Sequence, residues 1–194
     1  MTTLALIAGW SALAAAAATV VGAALLILFF SRGEPWGTLN DIASVVLMIA
    51  TIPVAIAVAA IEAAQMAVPG YLVAGAGIGA MLAAAGLQAA LVARWRTYEQ
   101  LLGRTLGAGA VVGVWYILAG AIGLSGALPA PLPALAIVSG IGFIAIGYGF
   151  AVGDQNHIVS KLGGIALLLA STSFLGLIGL RLVTGDLVVP PWTA

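Results

Sequence analysis

A chain of 194 residues that is 63% hydrophobic and 6% charged, with a mean hydropathy of +1.24, has a membrane protein's composition, since a soluble domain carries about a quarter charged residues. Six Lys and Arg offset six Asp and Glu, so no basic surface exists to displace counterions, and nucleic acid is excluded as a partner. With no cysteine and a single histidine, His157, the chain cannot build disulfides, Fe–S clusters, Cys-ligated zinc or a two-imidazole centre alone; no cofactor or metal is expected.

Six apolar runs, at 4–30, 39–61, 71–93, 105–124, 133–152 and 161–183, each come near the ~20 residues a spanning helix needs. They predict an all-α fold, a six-transmembrane-helix bundle forming one integral domain over residues 1–194. Run one starts MTTLALIAGW, without the basic start of a secretory signal, and reads as an uncleaved helix. Helix-stopping residues separate the runs: Gly33, Pro35 and Gly37, then Pro69 and Gly70, then Pro129, Pro131 and Pro133, then Gly153. The remaining break, RWRTYEQLLGR at 94–104, is marked by charge.

Turns one, three and five hold Arg32, Arg94, Arg96, Arg104 and Lys161, whereas only Arg181 lies towards the other side. This bias places the odd turns in the cytoplasm and both termini outside it, in a multi-pass protein of the plasma (inner) membrane. Tyr71 and Trp192 fall near one expected interface and Trp36, Trp95 and Tyr98 near the other, where amphipathic rings settle. The three arginines of RWRTYEQLLGR suit anionic headgroups or a docking partner.

Small residues should pack the bundle. Gly75 with Gly79, Gly109 with Gly113, and Ala14 with Ala18 make small-xxx-small steps, within one bundle or between copies of the chain. Pro53, beside Thr51, should kink run two by removing the bond to Ile49's carbonyl.

No run carries an acid, base or histidine at its midpoint, only hydroxyls and rings such as Thr19, Thr51, Tyr116, Ser139 and Thr172. An acid-coupled pump is therefore disfavoured. Polar residues that can bind a ligand gather at the margins instead. Asn40 and Asp41 open run two, where Thr38 and Asp41 also fit a capping box. Asp154, Asn156, His157 and Lys161 precede or open run six; Asp154 and His157 can pair as acid and base, or simply form a solvated helix start. Asn40, Ile42 and Ser44 are echoed by Asn156, Ile158 and Ser160 at equal spacing, the mark of a duplication or of chance. Glu62 ends run two on the outer side, met by water, by Arg181 or by a ligand.

Three functions follow in order: binding or transport of a small solute or lipid; a non-catalytic subunit or assembly factor of a larger membrane complex; and a membrane enzyme with a cytoplasmic-side polar site. The first requires a cavity, expected among Thr51, Tyr116, Ser139 or Thr172. The second requires a partner or a further copy. The third requires Asp41, Asp154, His157 and Lys161 within hydrogen-bond reach. No GxSxG or GxxxxGK motif assigns a catalytic residue.

Overall fold

The structure, a computed structural model, describes residues 2–153 and 156–190; Asp154 and Trp192, singled out above, lie outside them. The described chain is all helical: α1 (Thr3–Arg32), α2 (Trp36–Val92), α3 (Tyr98–Ile122) continued by a π-helical turn (Gly123–Ala127), α4 (Leu132–Val152) and α5 (Ile158–Thr184). Five helices are long and apolar enough to cross a membrane. By composition and length this is a multi-pass membrane protein.

Apolar runs two and three share α2, whose 57 residues would reach about 85 Å if straight, far beyond a ~30 Å hydrocarbon core. Met66 interrupts it with φ −141° and ψ 69°. Beyond that break the chain doubles back, because a Cβ on Gly70 would lie 3.4 Å from the Glu62 Cβ and 3.6 Å from the Ala59 carbonyl oxygen. In one straight helix, residues eleven apart stand about 16 Å from each other. The reversal comes slightly earlier than the Pro69-Gly70 signal suggests. Pro69 instead occupies the first turn of the returning arm, where its missing N–H has no helical partner to lose. Pro53 sits inside the first arm with helical backbone angles, and Met66 is the one position in α2 with non-helical angles.

The elements close into a ring, in which α1 packs on α2 and α5, α3 on α2 and α4, and α4 on α5. The first arm of α2 lies beside α1, with Ala43 under Gly22; the returning arm lies beside α3, with Gly77 against Trp115. Alanine makes this possible in α1, where Ala5, Ala8, Ala12 and Ala15 form a buried stripe at helical spacing. Elsewhere glycines meet across the seams, Gly113 on Gly140 between α3 and α4, Gly142 on Gly163 between α4 and α5, and Gly9 on Gly179 between α1 and α5. Gly75 and Gly79 do not pack inside the bundle as expected; both are exposed, with no atom near a Cβ built on either.

One end of the ring holds Arg32, Arg94, Arg96, Arg104 and Lys161 and is here termed the basic end. At the opposite end Gly185, at φ +84°, ends α5 in the left-handed conformation glycine favours. The chain then turns back, the Leu187 N–H donating to the Arg181 carbonyl at 3.0 Å, and buries Leu187 and Val189 in the core cluster that includes Leu128 and Leu132. The Ser125 hydroxyl donates to Gln65 Oε1 at 2.9 Å, tying the π-helical turn to the α2 break. That end is sealed.

The capping box expected of Thr38 and Asp41 is replaced by another arrangement. Helix α2 begins at Trp36, so Thr38 sits inside the first turn, and both its N–H (3.2 Å) and its hydroxyl (2.9 Å) donate to Glu34 Oε2. Glu34, not Asp41, supplies the carboxylate that the exposed N–H groups and the helix dipole favour. The 94–104 turn does contain box chemistry, the Thr97 N–H donating to Gln100 Oε1 at 3.2 Å.

Candidate functional site

Of the mid-span hydroxyls expected to line a cavity, two are satisfied by their own helices, whereas Thr172 Oγ1 is buried with no hydrogen-bond partner among the described residues. Thr51 donates to the Leu47 carbonyl at 2.7 Å and Ser139 to the Leu135 carbonyl at 2.7 Å, the internal solution lipid imposes on a buried hydroxyl. Tyr116 is fully buried in a plug of rings: it stacks on Phe143 with centroids 5.9 Å apart, meets Phe174 edge-on at 5.6 Å and touches Trp115 at 4.6 Å. None of Thr51, Tyr116, Ser139 and Thr172 lines either of the two cavities described below. They belong to the packed half of the bundle.

The other half is open. A cavity of about 280 Å³ lies on the basic-end side of the plug, with Phe143 as part of its wall, and every helix contributes to it. From α1 come Thr19 and Gly22; from the arms of α2, Asn40, Ser44, Met48, Ala84 and Gln88; from α3, Thr105 and Gly109; from α4, Gly147; from α5, Gly164. Small residues create the space. A Cβ on Gly164 would meet nothing within 4 Å, and one on Gly22 or Gly109 only ordinary contacts at 3.5 Å or more.

Polar groups converge on this apolar chamber from three segments. Asn40 and Ser44 stand one and two turns into α2, Gln88 one turn from its end, and Thr105 two turns into α3. Gln88 Oε1 and Thr105 Oγ1 are buried and have no hydrogen-bond partner among the described residues. A buried polar atom left unpaired costs about 1–3 kcal/mol, so two facing one cavity point to a partner that arrives from outside the fold. No charged side chain lines the chamber.

Of the described residues proposed from sequence as ligand contacts, Asn40 alone lines the cavity. Asp41 is half-buried but about 100° round the helix from Asn40, and is not part of the wall. His157 caps α5, its Nδ1 accepting from the Val159 N–H at 3.3 Å, while Asn156 and Lys161 are exposed. The pairing of His157 with Asp154 lies outside the described residues. The echo between 40–44 and 156–160 does not build one pocket: Ser44 faces the cavity, whereas Ser160 is buried against Gly149. Among the described residues no three acids or histidines cluster.

Glu62 requires a correction. Its position at the end of an apolar run suggests contact with water, yet it is 1% exposed and its Oε1 has no hydrogen-bond partner, Arg181 included. The fold-back at Met66 is the cause, since it lays Gly70 over Glu62 and encloses what would otherwise be a helix end. Glu62 therefore lies at the sealed end, away from the cavity.

No family model, curated protein or solved structure matches this chain. The site thus stands on its own geometry. Gln88 and Thr105 were the residues the sequence offered least plainly. Their signal is an uncharged polar side chain within two turns of the basic end, in AAGLQAALV and GRTLG, on the side where Asn40 and Ser44 also lie.

Proposed function

We propose that this protein binds a small solute or lipid with an uncharged polar group in the chamber beside the basic end, and carries it between that end and the membrane interior. The observation supporting this reading is the pair of buried, unpartnered acceptors, Gln88 Oε1 and Thr105 Oγ1, in one apolar cavity. The ring plug in which Tyr116 stacks on Phe143, a residue of the chamber wall, supports the reading, since a carrier needs one side of its site closed. Filling the space tests it. Gly164→Leu adds a side chain where a Cβ has open space, so the variant is expected to fold, and native mass spectrometry should show the molecule retained by the unaltered protein missing from it. Equal retention by both proteins defeats the proposal.

The membrane arrangement belongs to the same reading: six crossings, the arms of α2 counting separately, with the basic end in the cytoplasm, both termini outside and the plasma membrane as location. The bias of basic residues and the reversal at Met66 support it. A chain without cysteine offers a clean check, because one introduced thiol is the sole reactive site. Cysteine at Glu34 or Trp95 is expected to react with an impermeant maleimide only after cells are opened, and cysteine at Val68 in intact cells. Labelling of all three from one side would refute six crossings.

A second reading, assembly with a further copy or a membrane partner, is favoured by the exposed Gly75 and Gly79 face of α2, which none of the described residues covers. The enzymatic reading has no corresponding support among the described residues.

A further inference from the structure

The chamber of about 280 Å³ lies at the small end of ligand sites, room for a polar headgroup rather than a whole lipid. A second cavity of about 450 Å³ adjoins it on the outer side of the seam between α3 and α4. Its wall is apolar apart from the Tyr148 hydroxyl, with Gly103 and Gly107 leaving open space on α3 and Phe150 standing opposite on α4. The two cavities share Leu106 and Gly147. There the helices touch without locking: a Cβ on Gly147 would sit 3.6 Å from the Leu106 carbonyl oxygen, an ordinary contact.

Farther from the basic end the same seam is shut. A Cβ on Gly113 would lie 2.7 Å from the Gly140 carbonyl oxygen, and one on Gly120 would lie 2.6 Å from that of Pro133. Glycine thus fastens α3 to α4 over one half of their length and thins the wall between chamber and outside over the other.

We propose that the loose Leu106–Gly147 contact parts to form a lateral port for a single-chain amphiphile with an uncharged headgroup, the headgroup held by Asn40, Ser44, Gln88 and Thr105 and the acyl chain passing between α3 and α4 into the outer groove. This rests on the binding reading above and names its ligand class. Amides and hydroxyls with no fixed charge match a hydroxyl- or amide-bearing headgroup, whereas an ionic one would lose its hydration without a counter-charge. The outer groove lies on helices apolar enough to span a bilayer, towards their basic end, and an apolar occupant there leaves no polar group unpaired.

The test uses two photoreactive monoacylglycerols, one long-chain and one short-chain, with the full-length protein in phosphatidylcholine nanodiscs and crosslinks mapped by mass spectrometry. In the unaltered protein the short-chain probe should label the chamber near Met48 and Gln88, and the long-chain probe should also label Leu102 and Phe150 in the groove. Gly107→Leu fills the groove from a position that does not itself line the chamber; it should cut long-chain labelling at Leu102 and Phe150 about tenfold and leave short-chain labelling at Met48 and Gln88 unchanged. Gly79→Leu, on the exposed face of α2, should change neither. If the short-chain probe labels the chamber but long-chain labelling is the same in Gly107→Leu, or absent from the groove, the port is refuted and the chamber stands. If neither probe labels the chamber, both readings are overturned.

Discussion

Gln88→Met and Thr105→Val are each expected to raise the unfolding temperature of the ligand-free protein in detergent by a few degrees while lowering ligand retention about tenfold or more. The opposite signs come from one cause. Each wild-type side chain holds a buried oxygen with no partner among the described residues, and the apolar replacement removes that unpaired group at nearly constant shape. In the bound protein the same oxygen is the group a ligand would pair with, so removing it costs a hydrogen bond whose other half is left unpaired on the ligand. Groups serving only the fold would not behave this way: losing them would lower stability and leave binding alone. Differential scanning fluorimetry and native mass spectrometry on the same preparations decide it. A variant that is both less stable and equally able to retain the ligand counts against the chamber as a binding site.

The sequence revealed the membrane composition, most helix boundaries and the clustering of basic residues at one end, because these depend on local runs and on residue types that water or lipid sorts strongly. Tertiary contact decided the rest. Glu62 looked like a helix end in water and became a buried carboxyl once the returning arm of α2 laid Gly70 over it. Thr51 and Ser139 looked like cavity groups at mid-depth, but a hydroxyl on a membrane helix can return its proton to the carbonyl one turn back, and both do. Asn40, polar and one turn inside a helix, does line the cavity. Gln88 and Thr105 gain significance only through the ring closure that turns them towards Asn40, information that no single run carries.

The same closure makes Gly140 the position where a small change should do most damage. A Cβ there would lie against the Gly113 carbonyl oxygen, with the Ile117 side chain and backbone nitrogen within 3.0 Å, so the nearest obstacle is backbone that cannot rotate away. Gly140→Ala must therefore push α3 from α4, and overpacking of this kind costs about 1–3 kcal/mol. Gly140→Leu should prevent accumulation of folded protein. Gly75→Ala, on the same kind of apolar helix but with nothing within 4 Å of the added atom, is expected to stay within about 0.5 kcal/mol of the unaltered chain. The contrast separates packing from helix propensity, because alanine is the better helix former at both sites and propensity alone would stabilise both variants. Unfolding by heat or denaturing detergent measures each one. Equal stability of Gly140→Ala and Gly75→Ala would mean that α3 and α4 are not fastened at Gly113. The half-locked, half-open seam that gives the chamber its proposed lateral exit would then have no basis.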